Sequence, residues 1–102
     1  PYLAGVMAWI LAAGIEDTGI GANYKHFIAN NAETSRKRNH SIMTERTLRE
    51  LYLQAFVYAM EVCNPVSVMT AYNACNGRFT AADTEVIEGD AAGRTRGRLG
   101  IV

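Results

Sequence analysis

The sequence has little proline, little cysteine and no excess of charge of either sign. Two prolines in 102 residues leave no proline-rich linker, and no serine-rich tract, low-complexity segment or internal repeat stands in for one. The two cysteines, Cys63 and Cys75, form no CxxC pair, so neither a zinc site nor a redox motif is indicated. In a chain with ample apolar residues they are expected to be free and buried. Ten Lys+Arg balance ten Asp+Glu, which removes the broad attraction that non-specific nucleic-acid binding needs. Long apolar runs are missing too. The longest, Leu3 to Ile15, falls short of the ~20 residues of a membrane-spanning helix, and no basic residue precedes it as in a signal peptide.

What is present is apolar content. Hydrophobic residues make up 49%, which with zero net charge excludes a disordered chain. The length allows one small domain at most, burying roughly two thirds of its unfolded surface. Helical and extended patterns alternate. Tyr2 to about Gly14 reads as a buried amphipathic helix with Pro1 at its start. Gly19 and Gly21 turn the chain into a short strand over Ala22 to Phe27. Ile28 to Met43 is polar and reads as a long loop, the kind that is often functional.

The strongest pattern begins at Thr44, a capping residue, and runs to about Val62. Leu48, Leu51, Tyr52, Ala55, Ala59 and Met60 recur at helical spacing as one apolar stripe. Glu45 with Arg49, and Arg46 with Glu50, are i,i+4 pairs for the exposed side. Asn64-Pro65 stops the helix, and Val66 to Tyr72 is β-branched and aromatic, a strand bounded by Asn73 to Gly77. A weaker helix over Ala82 to Ala92 and a strand from Leu99 to Val102 complete the order α-β-α-β-α-β. Helical crossovers between successive strands imply a parallel sheet, and chemistry in such folds gathers at the carboxyl ends of the strands. Those ends are Lys25-His26-Phe27 and Ala71-Tyr72-Asn73.

Lys25 and His26 together suit a ligand with many hydroxyls, or an anion; a surface lysine beside a hydrogen-bonded histidine reads equally well. Gly19 and Gly21 precede a strand, whereas a phosphate-binding loop follows one and opens a helix. The basic clusters at Arg36-Lys37-Arg38 and from Arg94 to Arg98 read as solvated faces. His26 and His40 have no carboxylate at helical spacing, so no metal site is expected. Glu33 is the only acid of the polar loop, and no pair of catalytic carboxylates, nucleophile elbow or Cys-His arrangement is found.

Three segments then carry a resemblance. Lys25-His26-Phe27-Ile28-Ala29-Asn30-Asn31-Ala32-Glu33-Thr34-Ser35-Arg36 resembles the KHFxxNNQETxR segment of β-glucosidases in glycoside hydrolase family 3. The stretch from Thr44 to Phe56 is similar to that family's xERxLREIYLxxF helix, and Val68 to Gly77 to its VMxSYNxxNG segment. Pro1-Tyr2-Leu3-Ala4-Gly5 resembles the run that follows a Ser-Glu-Asp triplet there. The order and spacing match over residues 1 to about 80.

The resemblance implies an interior slice of a (β/α)8 barrel, about three α–β units with parallel strands, spanning residues 1–102. It implies that Lys25 and His26 hydrogen-bond hydroxyls of the sugar in the cleaved subsite. Arg36 supports that site, Tyr72 stands beside the nucleophile, and Met69 lines the same pocket. The family's mechanism is retaining, with a nucleophilic carboxylate and an acid/base carboxylate. The nucleophilic Asp is expected just after Val102 and the acid/base in a later domain, so that no catalytic residue lies within the chain. Both ends are then expected to be cuts through a larger fold.

The implied substrate of the whole protein is a β-glucoside or oligosaccharide taken from its non-reducing end. No cofactor, nucleic-acid or membrane partner is expected. Ala32 stands where the family has Gln, and Thr84 to Arg98 lacks the family's leucines and its aromatic run. The other reading is a stand-alone α/β module that binds a ligand or partner without catalysis. Three parallel strands would leave open edges and uncovered apolar faces, which favour self-association or instability of the chain by itself.

Overall fold

A computed structural model describes residues 1–63, 65–83, 85–92 and 100–102. Helix α1 (Tyr2–Glu16) leads to β1 (Asn23–Phe27). A loop then reaches β2 (His40–Ser41). Helix α2 fills residues 45–62 in three parts: Glu45–Thr47, a wide π-type turn over Leu48–Leu53, and Gln54–Val62. Next come β3 (Ser67–Thr70), β4 (Ala74–Cys75) and β5 (Arg78–Phe79). A 3₁₀ turn (Thr80–Ala82), a π-type helix (Glu85–Ala92) and β6 (Gly100–Ile101) close the chain. Leu99 and the cluster from Arg94 to Arg98 lie outside the described residues.

The main sheet has the order β1-β3-β6, all parallel, as the alternating pattern predicts. Tyr24 pairs with Val68 and Lys25 with Met69, after which the register slips before Phe27 meets Thr70. The slip matters for what faces where. Strict alternation would bury His26 and expose Phe27. Instead Tyr24 and Phe27 are buried, and Lys25 and His26 are both exposed. A bulge-like irregularity re-aims a side chain in this way.

The buried side of the sheet packs on the helices. Phe27 meets Phe56 of α2 edge to face, with ring centroids 5.0 Å apart. Thr44 caps α2 through its hydroxyl, which accepts from the Thr47 N–H at 3.2 Å. Arg46–Glu50 and Arg49–Glu45 form the expected pairs, at 3.0 and 2.6 Å. The apolar stripe differs from the expected one. Leu51 is exposed, whereas Leu48, Leu53, Val57, Ala59 and Met60 are buried. The π-type turn adds a residue to one turn, so residues before and after it no longer share a single 3.6-residue phase.

Helix α1 corrects another expectation. It buries only Gly5 and Ala12, while Leu3, Met7, Ile10 and Leu11 are exposed. It is apolar on most sides rather than amphipathic, the signature of a helix that packs in more than one direction. Gly5 permits the close crossing with α2, since a Cβ there would lie 2.7 Å from the Tyr58 Cβ and 2.9 Å from the Ala55 carbonyl oxygen.

A second sheet was not legible as such in the pattern. β2 pairs parallel with β4, and β4 pairs antiparallel with β5. The β4–β5 turn is Asn76-Gly77, with φ of 48° and 86°. That dipeptide is a strong hairpin signal, although in the sequence it reads only as the boundary of a strand. The loop read over Ile28 to Met43 therefore carries a strand at its far end, tied down by β4.

Beneath α1 and α2, the Cys63 thiol donates to the Glu16 Oε2 at 2.8 Å. Both cysteines are free and buried, as expected. Burial, with the Glu16 carboxylate beside it, pushes the Cys63 thiol up to about 11 from an ordinary 9.0. The folded state thus holds that proton more tightly than the unfolded state does. Stability is expected to be intact below pH 9 and to fall as pH rises from 9 towards 11. Urea titrations of the chain at pH 8 and pH 10.5 check this, and Cys63→Ala should flatten the difference.

Candidate sugar-binding edge of the sheet

Of the five residues singled out in the sequence, the structure joins Lys25 to Met69 and Arg36 to Tyr72 where β1 and β3 end. Lys25 and Met69 are register partners on adjacent parallel strands, and both are exposed. His26 follows Lys25 and is also exposed because of the register slip. Tyr72 lies two residues beyond β3 and is 55% exposed. The Arg36 guanidinium carbon sits 4.9 Å from the Tyr72 ring centroid, and the Lys37 ammonium 5.7 Å. Both are cation–π distances. Thus the register joins Lys25 to Met69, and stacking joins Arg36 to Tyr72.

The loop that carries Arg36 is held from several sides. Glu33 accepts from the Asn30 amide at 2.7 Å through one carboxylate oxygen and from Arg36 at 3.1 Å through the other. The Asn31 amide donates to the Tyr52 hydroxyl of α2 at 2.7 Å. Ile28 and Ala29 are buried at the loop's start, where Ala29 takes a φ of 61°. Their carbonyl oxygens each lie 3.3 Å from the amide nitrogen of Asn73, which is fully buried. The Ser41 hydroxyl of β2 donates to the Ala29 carbonyl at 2.8 Å and lies 3.4 Å from the same Asn73 nitrogen.

Asn73 thus pins the loop from the far side of β3. Sequence reasoning placed Asn73 only at a strand boundary, and it left Glu33 and Asn30 without a task. A buried asparagine looks like a turn residue in a sequence, because only its surroundings distinguish the two roles.

The edge offers hydrogen-bond donors on Lys25, His26 and Arg36, an aromatic ring on Tyr72 and a thioether on Met69. Such a set suits a polyhydroxylated ligand with one apolar face. A cavity of about 280 Å³ lies elsewhere, lined by Glu45, Arg49, Cys75, Arg78 and Asp83 among others, and none of the five candidates lines it. Among the described residues no three His, Cys, Asp or Glu side chains gather where they could hold a metal ion, and no helix is long and apolar enough to cross a membrane.

The model of the glycosyl hydrolase family 3 N-terminal domain matches residues 1–90. The chain belongs to glycosyl hydrolase family 3. Family 3 relatives are close in sequence. A β-glucosidase of Kluyveromyces marxianus is 47% identical over 77 residues, which cover 76% of this chain and 9% of that protein. A probable β-glucosidase I of Aspergillus flavus is 42% identical over 85 residues, covering 83% and 10%. This chain therefore spans about a tenth of the length of the curated family 3 relatives it matches.

Solved family 3 structures agree with the sheet topology. The Kluyveromyces marxianus β-glucosidase superposes on the whole chain with a TM-score of 0.92 and 36% identity, using 12% of its own length. β-Glucosidase 3B of Thermotoga neapolitana, solved with α-D-glucose, covers 96% of this chain with a TM-score of 0.89 and 36% identity, and 14% of its own chain is matched. The fold is a partial α/β barrel with parallel strands, as the sequence predicts. The small sheet of β2, β4 and β5 stands beside that barrel segment.

Proposed function

We propose that residues 1–102 are one segment of the catalytic barrel of a retaining β-glucosidase, and that this segment holds the sugar without reacting with it. The observation that carries the reading is the shared edge: Lys25 beside Met69, and Arg36 stacked on Tyr72, where parallel strands end. In this reading Lys25 and His26 donate to sugar hydroxyls. Arg36 steadies the site, and Tyr72 and Met69 contact the apolar face of the ring. The substrate of the whole protein is a β-glucoside or oligosaccharide cleaved from its non-reducing end.

Retention needs two carboxylates about 5 Å apart. The polar loop supplies one carboxylate, Glu33, and both of its oxygens are engaged by Asn30 and Arg36. In line with the family resemblance, we assign the nucleophile and the acid/base to residues outside these 102. The chain by itself is expected to show no turnover of an aryl β-glucoside. A hybrid in which it replaces the matching stretch of the Kluyveromyces marxianus enzyme is expected to hydrolyse that substrate. Turnover by the chain alone, or an inactive but folded hybrid, would overturn the reading.

The exposed apolar residues of α1 weigh against a stand-alone module. Leu3, Met7, Ile10 and Leu11 are exposed along one helix, an apolar stretch that a larger fold would cover.

A further inference from the structure

Glu33 is tied into the site more closely than a surface acid needs to be. Its two carboxylate oxygens go to two different partners on its own loop, Asn30 at 2.7 Å and Arg36 at 3.1 Å. The Arg36 guanidinium so held is the group that lies 4.9 Å from the Tyr72 ring centroid. The three links form a line: Asn30, at the loop's fixed end, holds Glu33; Glu33 holds Arg36; Arg36 lies on Tyr72.

An arginine has many rotamers, and ordering one costs entropy on binding. Two different anchors on one carboxylate remove that cost in advance. As an exposed ion pair the Glu33–Arg36 contact contributes little to stability, because both side chains are well solvated. Orientation is what it supplies.

We propose that Glu33 is a positioning residue for the sugar site, acting through Arg36 to hold the guanidinium against Tyr72. The proposal rests on the sugar-binding reading above and adds a residue that touches no sugar itself. It predicts that Glu33 matters for binding and catalysis out of proportion to its effect on stability. Neutralising its charge while keeping its shape frees Arg36. Moving the carboxylate back by one methylene retains the charge and part of the geometry.

The test uses the hybrid enzyme and the chain itself. In the hybrid, Glu33→Gln is expected to lower kcat/KM for an aryl β-glucoside about tenfold with an unchanged thermal midpoint, and Glu33→Asp to recover part of the loss. With Arg36→Met already present, Glu33→Gln is expected to cost nothing further, since its effect passes through Arg36. Independent losses in the double variant would overturn the proposal, as would an unchanged kcat/KM in Glu33→Gln.

The second arm reads geometry without activity. In NMR spectra of the 102-residue chain, Glu33→Gln is expected to shift the Tyr72 ring and Arg36 Nε–H resonances, and unshifted resonances would overturn the proposal. If Lys25→Ala leaves the hybrid fully active, the sugar-site reading fails, and the proposal with it. If Lys25→Ala is damaging and Glu33→Gln is silent, only the proposal fails.

Discussion

Replacing Lys25 by Ala in the hybrid enzyme is expected to lower kcat/KM for an aryl β-glucoside by roughly 10- to 150-fold, and His26→Ala to do the same. The size follows from the chemistry of the contact. A hydrogen bond involving a charged group contributes about 1.5–3 kcal/mol, and every 1.4 kcal/mol is about tenfold in rate or affinity. Lys25 and His26 are exposed, so removing either leaves little damage in the fold. Substitutions at such positions change stability by roughly 0.5 kcal/mol or less. The expected result is a large kinetic loss with a thermal midpoint near that of the parent hybrid.

The split between kcat and KM adds information. If both kcat and kcat/KM fall, the contact strengthens in the transition state; if KM alone rises, it serves ground-state binding. An unchanged kcat/KM in both variants would remove the β1 edge from the site. Steady-state kinetics on the two variants and the unsubstituted hybrid decide between these outcomes.

The second large effect is at Asn73, and it falls on stability. The Asn73 amide nitrogen lies within 3.4 Å of the carbonyl oxygens of Ile28, Ala29 and Ala74 and of the Ser41 hydroxyl. It is fully buried. Asn73→Asp replaces a donor by a group that only accepts when ionised, among oxygens that only accept or are already shared. The expected cost at neutral pH is about 3–5 kcal/mol, the scale of an uncompensated buried charge.

The sign of the pH dependence is fixed by burial, which raises the carboxyl pKa in the folded state above its unfolded value near 4. The variant is therefore least destabilised at low pH and loses more as pH rises through about 4 and above. Asn73→Ala, which leaves the carbonyls unpaired but adds no charge, is expected to cost about 1–3 kcal/mol with no such dependence. Urea unfolding at pH 4 and pH 7 separates the two variants. Equal stability of all three proteins would show that the loop after β1 is held by something else.

Both predictions concern β1 and the loop that follows it. Lys25 and His26 are exposed on β1, and Asn73 holds the loop that begins just after them. The display depends on the register slip within β1. Without it His26 would share the buried side of Tyr24, and only Lys25 of the two would be exposed.

Much of this was legible in the residues. The alternation of elements, the parallel sheet, the cap at Thr44 and the two ion pairs of α2 were read from spacing alone, because each depends on residues a few positions apart. The grouping of Lys25, His26, Arg36, Met69 and Tyr72 came from a resemblance in motifs. Register and stacking then set Lys25 beside Met69 and Arg36 on Tyr72. The misses are of another kind. Leu51 was placed on the buried stripe, but a π-type turn changes the helical phase, and nothing local in the sequence announces it. The pattern predicts that α1 buries one face, yet Leu3, Met7, Ile10 and Leu11 are open, and Trp9 is only partly buried.

The sequence by itself determined the class of the fold, the succession of its helices and parallel strands, and the family to which the chain belongs. These follow from local periodicity and from motifs, both properties of neighbouring residues. Tertiary structure alone decided that His26 faces outwards, that Asn73 is a buried anchor rather than a turn residue, and that Glu33 reaches both Asn30 and Arg36. The first two depend on where a second strand or loop lies in space, and the third on how the loop after β1 folds on itself. A strand's register and a side chain's burial are set by the partner that covers it, and spacing along one chain does not encode that partner.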